Sequence, residues 1–196
     1  MERALKLILA SQSPRRKELL ALAGYPFETV SADIDETFDP KRTAEENVME
    51  ISTRKAAASL ELVADPASAV ILSADTTVVL DGRPLGKPVD DADAMAMLSS
   101  LQGRSHEVLT GFTVRNGERS ITGYARTVVV FEAMPVAEIR RYIDTQQPFD
   151  KAGSYGIQDP ILACYVRGIE GCYYNVVGLP VSKVCEALRQ FLPCHA

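Results

Sequence analysis

Two runs constrain the fold of this 196-residue chain more than any other feature: LKLILA at 5–10 and AVILSADTTVVL at 69–80. Neither alternates apolar with polar residues, as a strand with one wet face would. Such runs suit strands covered on both faces, so helices must pack against a sheet. The second run is expected to break at 74–77, continue as another strand segment and turn at Asp81-Gly82.

The covering helices can be read from their ends. Ser13 suits an N-cap and Pro14 a first helical position; Leu19, Leu20 and Leu22 supply an apolar face, and Gly24 a stop. Residues 25–40 read as extended, ending in an acidic loop. A helix is expected from Thr43 to Ala64, opened by a Thr43/Glu46 capping box. Asp90 or Asp91 caps another that runs to Leu101. Residues 106–132 alternate and are split by Asn116-Gly117, a hairpin signal. Pro135 opens a helix to Thr145, and Pro180 one to Leu192. Residues 161–174 read as strands or a hairpin. Strands alternating with helices around a central hairpin predict an α/β fold, with a mixed β-sheet flanked by helices in one domain over 1–196.

The composition, 46% hydrophobic and 24% charged, is that of a globular chain. A net charge of −5 argues against stable nucleic-acid binding but allows a local basic pocket for small anions. Cys164, Cys172, Cys185 and Cys194 fit no zinc spacing, and His106 and His195 are too far apart in sequence to suggest a metal cage. They read as reduced thiols in a cytosolic protein. No apolar run is long enough to span a membrane or serve as a signal peptide.

Six features carry chemistry. Arg15 and Arg16 fall in a first helical turn, where the helix dipole disfavours cations by about 0.3–1 kcal/mol each. They either turn to solvent and pair with acids, or meet a multiply charged anion at the helix start. Lys55 lies in a gap of the stripe Val48, Ile51, Ala58, Leu62; its stem lies on apolar surface, or its ammonium reaches a cleft. Asp75 ends a buried run, either as a turn residue or as a general base or metal ligand at a strand end. Asp33, Asp35 and Glu36 are a solvated loop or oxygen donors for magnesium beside phosphates. GRPLGKP is not a Walker loop, because its spacing is short and Pro88 follows the lysine; Lys87 remains a fixed cation for phosphate. In DKAGSYGIQ, glycines allow close approach and Gln158 offers a donor and an acceptor to a base edge. Together these are the inventory for magnesium-dependent chemistry on a nucleotide polyphosphate.

LILASQSPRRKELL, DIDET, ADTTVVLDGRPLGKP, LTGF, DKAGSYGIQ and YNVVGLP stand in the order found in the Maf family of nucleoside triphosphate pyrophosphatases, which this chain resembles over nearly its whole length. The resemblance implies cytoplasmic hydrolysis of the bond between α- and β-phosphates with a divalent cation, Mg²⁺ or Mn²⁺. It implies a fold similar to inosine triphosphate pyrophosphatases, two lobes around a cleft, and a homodimer. It marks Asp75 as proton acceptor, Ser11, Arg16, Lys55 and Lys87 as the phosphate site, and Glu36 beside the metal. Arg15, Thr76 and Gln158 match the branch acting on dTTP and UTP, with CTP or modified pyrimidine nucleotides as further substrates. One departure stands out: Asp159-Pro160 follow Gln158, where that branch commonly has glycine. The competing readings are a nucleotide-binding regulator of cell division with little turnover and a 7-methyl-GTP pyrophosphatase. A pure binder has no need of Asp75.

Overall fold

The computed structural model describes residues 5–117 and 119–192; Cys194 and His195 lie outside them. One mixed sheet of seven strands runs in the order β2-β1-β3-β5-β6-β7, with β4 paired to β3. The strands are β1 (Lys6–Ala10), β2 (Glu28–Val30), β3 (Ala69–Leu80), β4 (Arg83–Leu85), β5 (Ser105–Asn116), β6 (Arg119–Phe131) and β7 (Val166–Glu170). The helices are α1 (Pro14–Leu22), α2 (Ala44–Glu61), α3 (Asp91–Leu101), α4 (Val136–Gln146), α5 (Tyr173–Val177) and α6 (Val181–Leu188). β1 runs parallel to β2 and β3, while β4 is antiparallel to β3 and β7 to β6, so the sheet is mixed as expected. The two apolar runs are its parallel neighbours β1 and β3, buried along almost their whole lengths.

The chain divides into two compact units. The first holds residues up to Asp75, then Thr110–Ala125 and the chain from Gly178; the second holds Thr76–Leu109 and Arg126–Val177. In the first, Ile8, Ala10, Ala56, Ala69 and Ile71 form an apolar cluster that packs α2 against β1 and β3. Gly111 lets α2 approach: a Cβ there would stand 2.4 Å from the Val48 carbonyl carbon and oxygen. In the second unit, Tyr142, Ile139 and Ile143 of α4, Leu98 and Leu101 of α3, and Leu162 are fully buried.

Most helix ends follow their sequence signals. Thr43 and Glu46 form the reciprocal capping box, Asp90 caps α3, and Gly24 takes φ +80° beyond α1. Four expectations are corrected. The run at 69–80 does not break; it is one strand of twelve residues, in which the β-branched Thr76 and Thr77 suit extended backbone. Residues 161–174, read as strands or a hairpin, hold one strand, β7, between a 3-10 turn and the start of α5, so the strand reading holds in part and the hairpin does not. Leu22 and Leu62, each assigned to an apolar face, are exposed, since both lie at or past a helix end and outlast the surface it packs against. The buried stripe of α2 is Val48, Ile51, Ser52, Ala56 and Ser59, which places Lys55 at its margin.

Candidate functional site

The first unit gathers its charged residues where β1 stops. β1 pairs with β3 up to Ala10 opposite Ser73, and the chain then turns through Ser11–Ser13 into α1. Asp75 lies two residues beyond that last pair. It is therefore a mid-strand residue beside the end of its neighbour, which corrects the strand-end placement. The side chain is buried, with the Lys55 ammonium 2.8 Å from Oδ1.

α2 delivers Lys55 to that point. The Ser73 hydroxyl donates to the Ser52 carbonyl at 2.6 Å, locking α2 to β3 two residues before Asp75 and three before Lys55. The same ammonium stands 2.8 Å from Glu36 Oε2. Glu36 is held in range by Arg54, which donates to the Asp35 carbonyl at 2.8 Å. Adjacent residues of α2 thus grip adjacent residues of the acidic loop; nothing in the sequence marks Arg54 for this. Asp35 serves the loop itself. Its carboxylate accepts from the Thr37 N–H at 2.8 Å, and the hydrogen bonding to Thr37 lowers its pKa. Of the acidic trio, the contacts bring Glu36 to Lys55.

Arg15 and Arg16 sit in the first turn of α1 with no acidic residue in that turn. Ser13 occupies the cap position without capping; its N–H donates to the Ser11 hydroxyl at 3.2 Å. Arg16 donates from Nε to the Gly178 carbonyl at 2.9 Å and from an Nη to Ser11 Oγ at 3.4 Å. Gly178, of the YNVVGLP stretch, is a backbone anchor that side-chain reasoning could not find. Burial pushes the Arg16 pKa down, Asp75 pulls it back up, Arg15 lowers it and Glu36 raises it. That balance places Arg16 within the electrostatic field of both carboxylates. Ser11, Arg16, Lys55, Glu36 and Asp75 form one connected set, joined by direct contacts and by that field.

The second unit holds Thr76, Lys87 and Gln158. Thr76 is half-buried, while Lys87 and Gln158 are exposed on well-anchored backbone. Pro88 is buried beside Lys87, and the Gly86 carbonyl accepts from the Gly153 N–H at 2.9 Å, which joins the GKP stretch to the DKAG loop. Gly153 has φ +66°, and a Cβ there would stand 2.8 Å from a Val78 methyl. His106 is buried with its Nε2 2.7 Å from the Tyr155 hydroxyl. Cys164, Cys172 and Cys185 are free thiols.

The residues 6–191 match the family described as Maf-like protein. The chain belongs to that family. Among its curated relatives, the dTTP/UTP pyrophosphatase of Chlorobaculum tepidum is 67% identical over 191 residues, covering 97% of each chain. The dTTP/UTP pyrophosphatase of Chlorobaculum parvum is 64% identical, covering 97% of this Maf-like chain and 96% of its own. That of Bacillus cytotoxicus is 46% identical, covering 95% of both. The solved structure of the Staphylococcus aureus Ham1 protein aligns over 64% of this chain and 71% of that one, with 13% identity and a TM-score of 0.44. Among the described residues, no group of three His, Cys, Asp or Glu side chains is placed to hold a metal ion, and no helix is long and apolar enough to cross a membrane.

Proposed function

We propose that this chain is a nucleoside triphosphate pyrophosphatase that hydrolyses the α–β phosphate bond of dTTP and UTP, releasing the monophosphate and pyrophosphate. The observation that carries the reading is the meeting of Asp75 and Glu36 at Lys55, with Arg16 in their field. The full-length relatives named for that activity support the same reading.

Asp75 and Glu36 are hard oxygen donors that meet at one point, 2.8 Å from one ammonium, which fits Mg²⁺ or Mn²⁺. Such ions take one or two carboxylates and complete their shell with phosphate oxygens and water. When bound, the ion supplies neutralisation of the triphosphate charge. The chain's own residues do the rest. Asp75 takes the proton of the attacking water, the water oxygen bonds to the α-phosphorus, and the bond from that phosphorus to the bridging oxygen breaks. Arg16, Lys55 and Ser11 hold phosphate oxygens, and the α1 start favours the same charge. Arg15 and, from the second unit, Thr76, Lys87 and Gln158 are assigned to the same substrate: Lys87 to phosphate, and Arg15, Thr76 and Gln158 to the base side. In this reading the chain 1–196 acts as one catalytic domain, working as a homodimer in the cytoplasm.

The test is pyrophosphate release from dTTP, UTP, CTP and dGTP with Mg²⁺ or Mn²⁺, run beside Asp75→Asn. The variant should keep its circular dichroism spectrum and lose roughly 10³-fold in kcat. Equal turnover by variant and parent would remove Asp75 from the chemistry.

A further inference from the structure

The loop from Lys151 to Asp159 carries Gln158, and its backbone is not one that holds itself. Gly153 and Ser154 take consecutive left-handed conformations, φ +66° and +63°, and Ser154 is a residue with a side chain. Such a loop persists when its surroundings over-determine it. Asp159 stands at the centre of those surroundings. Its Oδ2 accepts from the Tyr142 hydroxyl of α4 at 2.5 Å and lies 3.8 Å from the Lys151 ammonium. The Tyr142 oxygen in turn accepts from the Gly156 N–H at 3.0 Å. The Asp159 N–H donates to the Gly156 carbonyl at 3.0 Å. Gly156 has no side chain where one is impossible: a Cβ there would meet both Asp159 carboxylate oxygens at 2.8 Å.

One carboxylate thus touches the first residue of the loop, its middle through a phenol, and the rigid helix beneath it. Burial first, and then the bond to Asp159, push the Tyr142 pKa up, so the phenol remains a donor. Gln158 lies between Ile157, which is buried, and Asp159, which is clamped, while its own side chain is exposed. An exposed amide can read a hydrogen-bonding edge when its backbone is fixed on both sides.

We propose that Asp159 is the positioning residue for Gln158, and that the Asp159–Tyr142–Lys151 clamp sets how strongly the chain prefers one nucleobase over another. This rests on the proposed function, in which Gln158 faces the base. The residue that breaks the branch pattern is then the one that fixes the aim of the branch's glutamine.

The test compares the parent with Asp159→Ala, Asp159→Asn, Tyr142→Phe, Gln158→Ala and the double variant Gln158→Ala/Asp159→Ala. Readouts are kcat and KM for dTTP and dGTP, and amide exchange over 152–158. Asp159→Ala should raise KM for dTTP about tenfold with kcat within about twofold, and lower the dTTP-to-dGTP preference about tenfold. Exchange over the loop should accelerate. Asp159→Asn still accepts from the phenol and should recover most of the preference; Tyr142→Phe should lose it. In the Gln158→Ala background, Asp159→Ala should add less than about twofold, because the two act as one unit.

Multiplicative, independent effects in the double variant would overturn the proposal. So would faster loop exchange with an unchanged dTTP-to-dGTP preference, in either Asp159→Ala or Tyr142→Phe. A parent that releases no pyrophosphate from any triphosphate sinks the proposed function and this inference with it. An active parent with an indifferent Asp159 sinks this inference alone.

Discussion

Two carboxylate–lysine pairs in this molecule are buried to the same degree and do different things. Asp75 and Lys55 have side chains 10% and 13% exposed; Asp159 and Lys151 are both 13% exposed. Burial therefore does not separate them; their partners do. Asp75 meets its ammonium directly, at 2.8 Å, and that ammonium is shared with Glu36. Asp159 meets its ammonium at 3.8 Å, an ammonium that lies nearer Asp150 at 3.3 Å, and takes its short contact from a phenol that also binds a backbone N–H. The first arrangement links side chain to side chain, which is what the proposed binding of a polyphosphate and its cation would rearrange. The second ties side chains to the backbone. A charge held by charge is available for chemistry, while a charge held by a neutral donor on a helix serves architecture.

The largest expected effect follows from removing each lysine. Lys55→Met leaves two carboxylates facing each other around an apolar stem. Breaking a buried pair in this way costs about 3–5 kcal/mol, with the low end fitting here because Glu36 is half exposed. Lys151→Met leaves Asp159 its phenol and should cost about 1 kcal/mol or less. Urea denaturation of the two variants measures the gap. Equal losses would dissolve the contrast. A Lys55 variant as stable as the parent would mean that the two acids do not repel, against the geometry on which the proposed phosphate site rests.

A smaller effect tests the claim that the second region works through its backbone. Gly153→Ala removes no functional atom. It places a methyl 2.8 Å from Val78 on a backbone at φ +66°. The expected loss is about 2–3 kcal/mol, with the Gly153-to-Gly86 hydrogen bond given up and activity reduced. Gly24→Ala provides the scale: φ is +80° with nothing within 4 Å, so conformational strain alone, about 1 kcal/mol, should appear. If the two alanines cost the same, the close approach at Val78 relaxes freely and the loop is looser than its contacts imply.

The same contrast explains what could be read from sequence. The α/β class, the two apolar strands, the Thr43 cap and the hairpin were legible because each is a local pattern. Lys55, Asp75 and Glu36 could be named because charged residues on or beside buried elements need a reason. Their meeting at one ammonium could not be read, since it depends on β1 ending opposite Ser73 while β3 runs on. Arg54 and Gly178 were invisible for another reason: one acts on a carbonyl, the other is a carbonyl, and neither has a sequence signature. Asp159 was visible as a departure from a pattern, but its role needed Tyr142, seventeen residues away on a helix.

The mildest prediction concerns acid, and it separates the regions by what they lose. His106 packs edge-on against the rings of Phe131 and Tyr155, and its Nε2 shares a hydrogen bond with the Tyr155 hydroxyl. Its Nδ1 is buried and has no partner among the described residues. Burial pushes its pKa down from 6.5 to about 4. Between those values the unfolded chain binds a proton that the folded chain refuses. Stability therefore rises with pH through this window: the contribution is complete above 6.5 and is lost progressively as pH falls towards 4. At about pH 5.5 the loss from this one ring is about 1 kcal/mol relative to neutral pH. His106→Gln keeps a polar partner for Tyr155 and cannot titrate. Urea unfolding near pH 7 and about pH 5.5 should show the parent losing about 1 kcal/mol more than the variant, with carboxylates contributing equally to both. Because Tyr155 belongs to the clamped loop, loop amide exchange should follow the same difference. Parallel slopes would mean that the ring finds room for a proton.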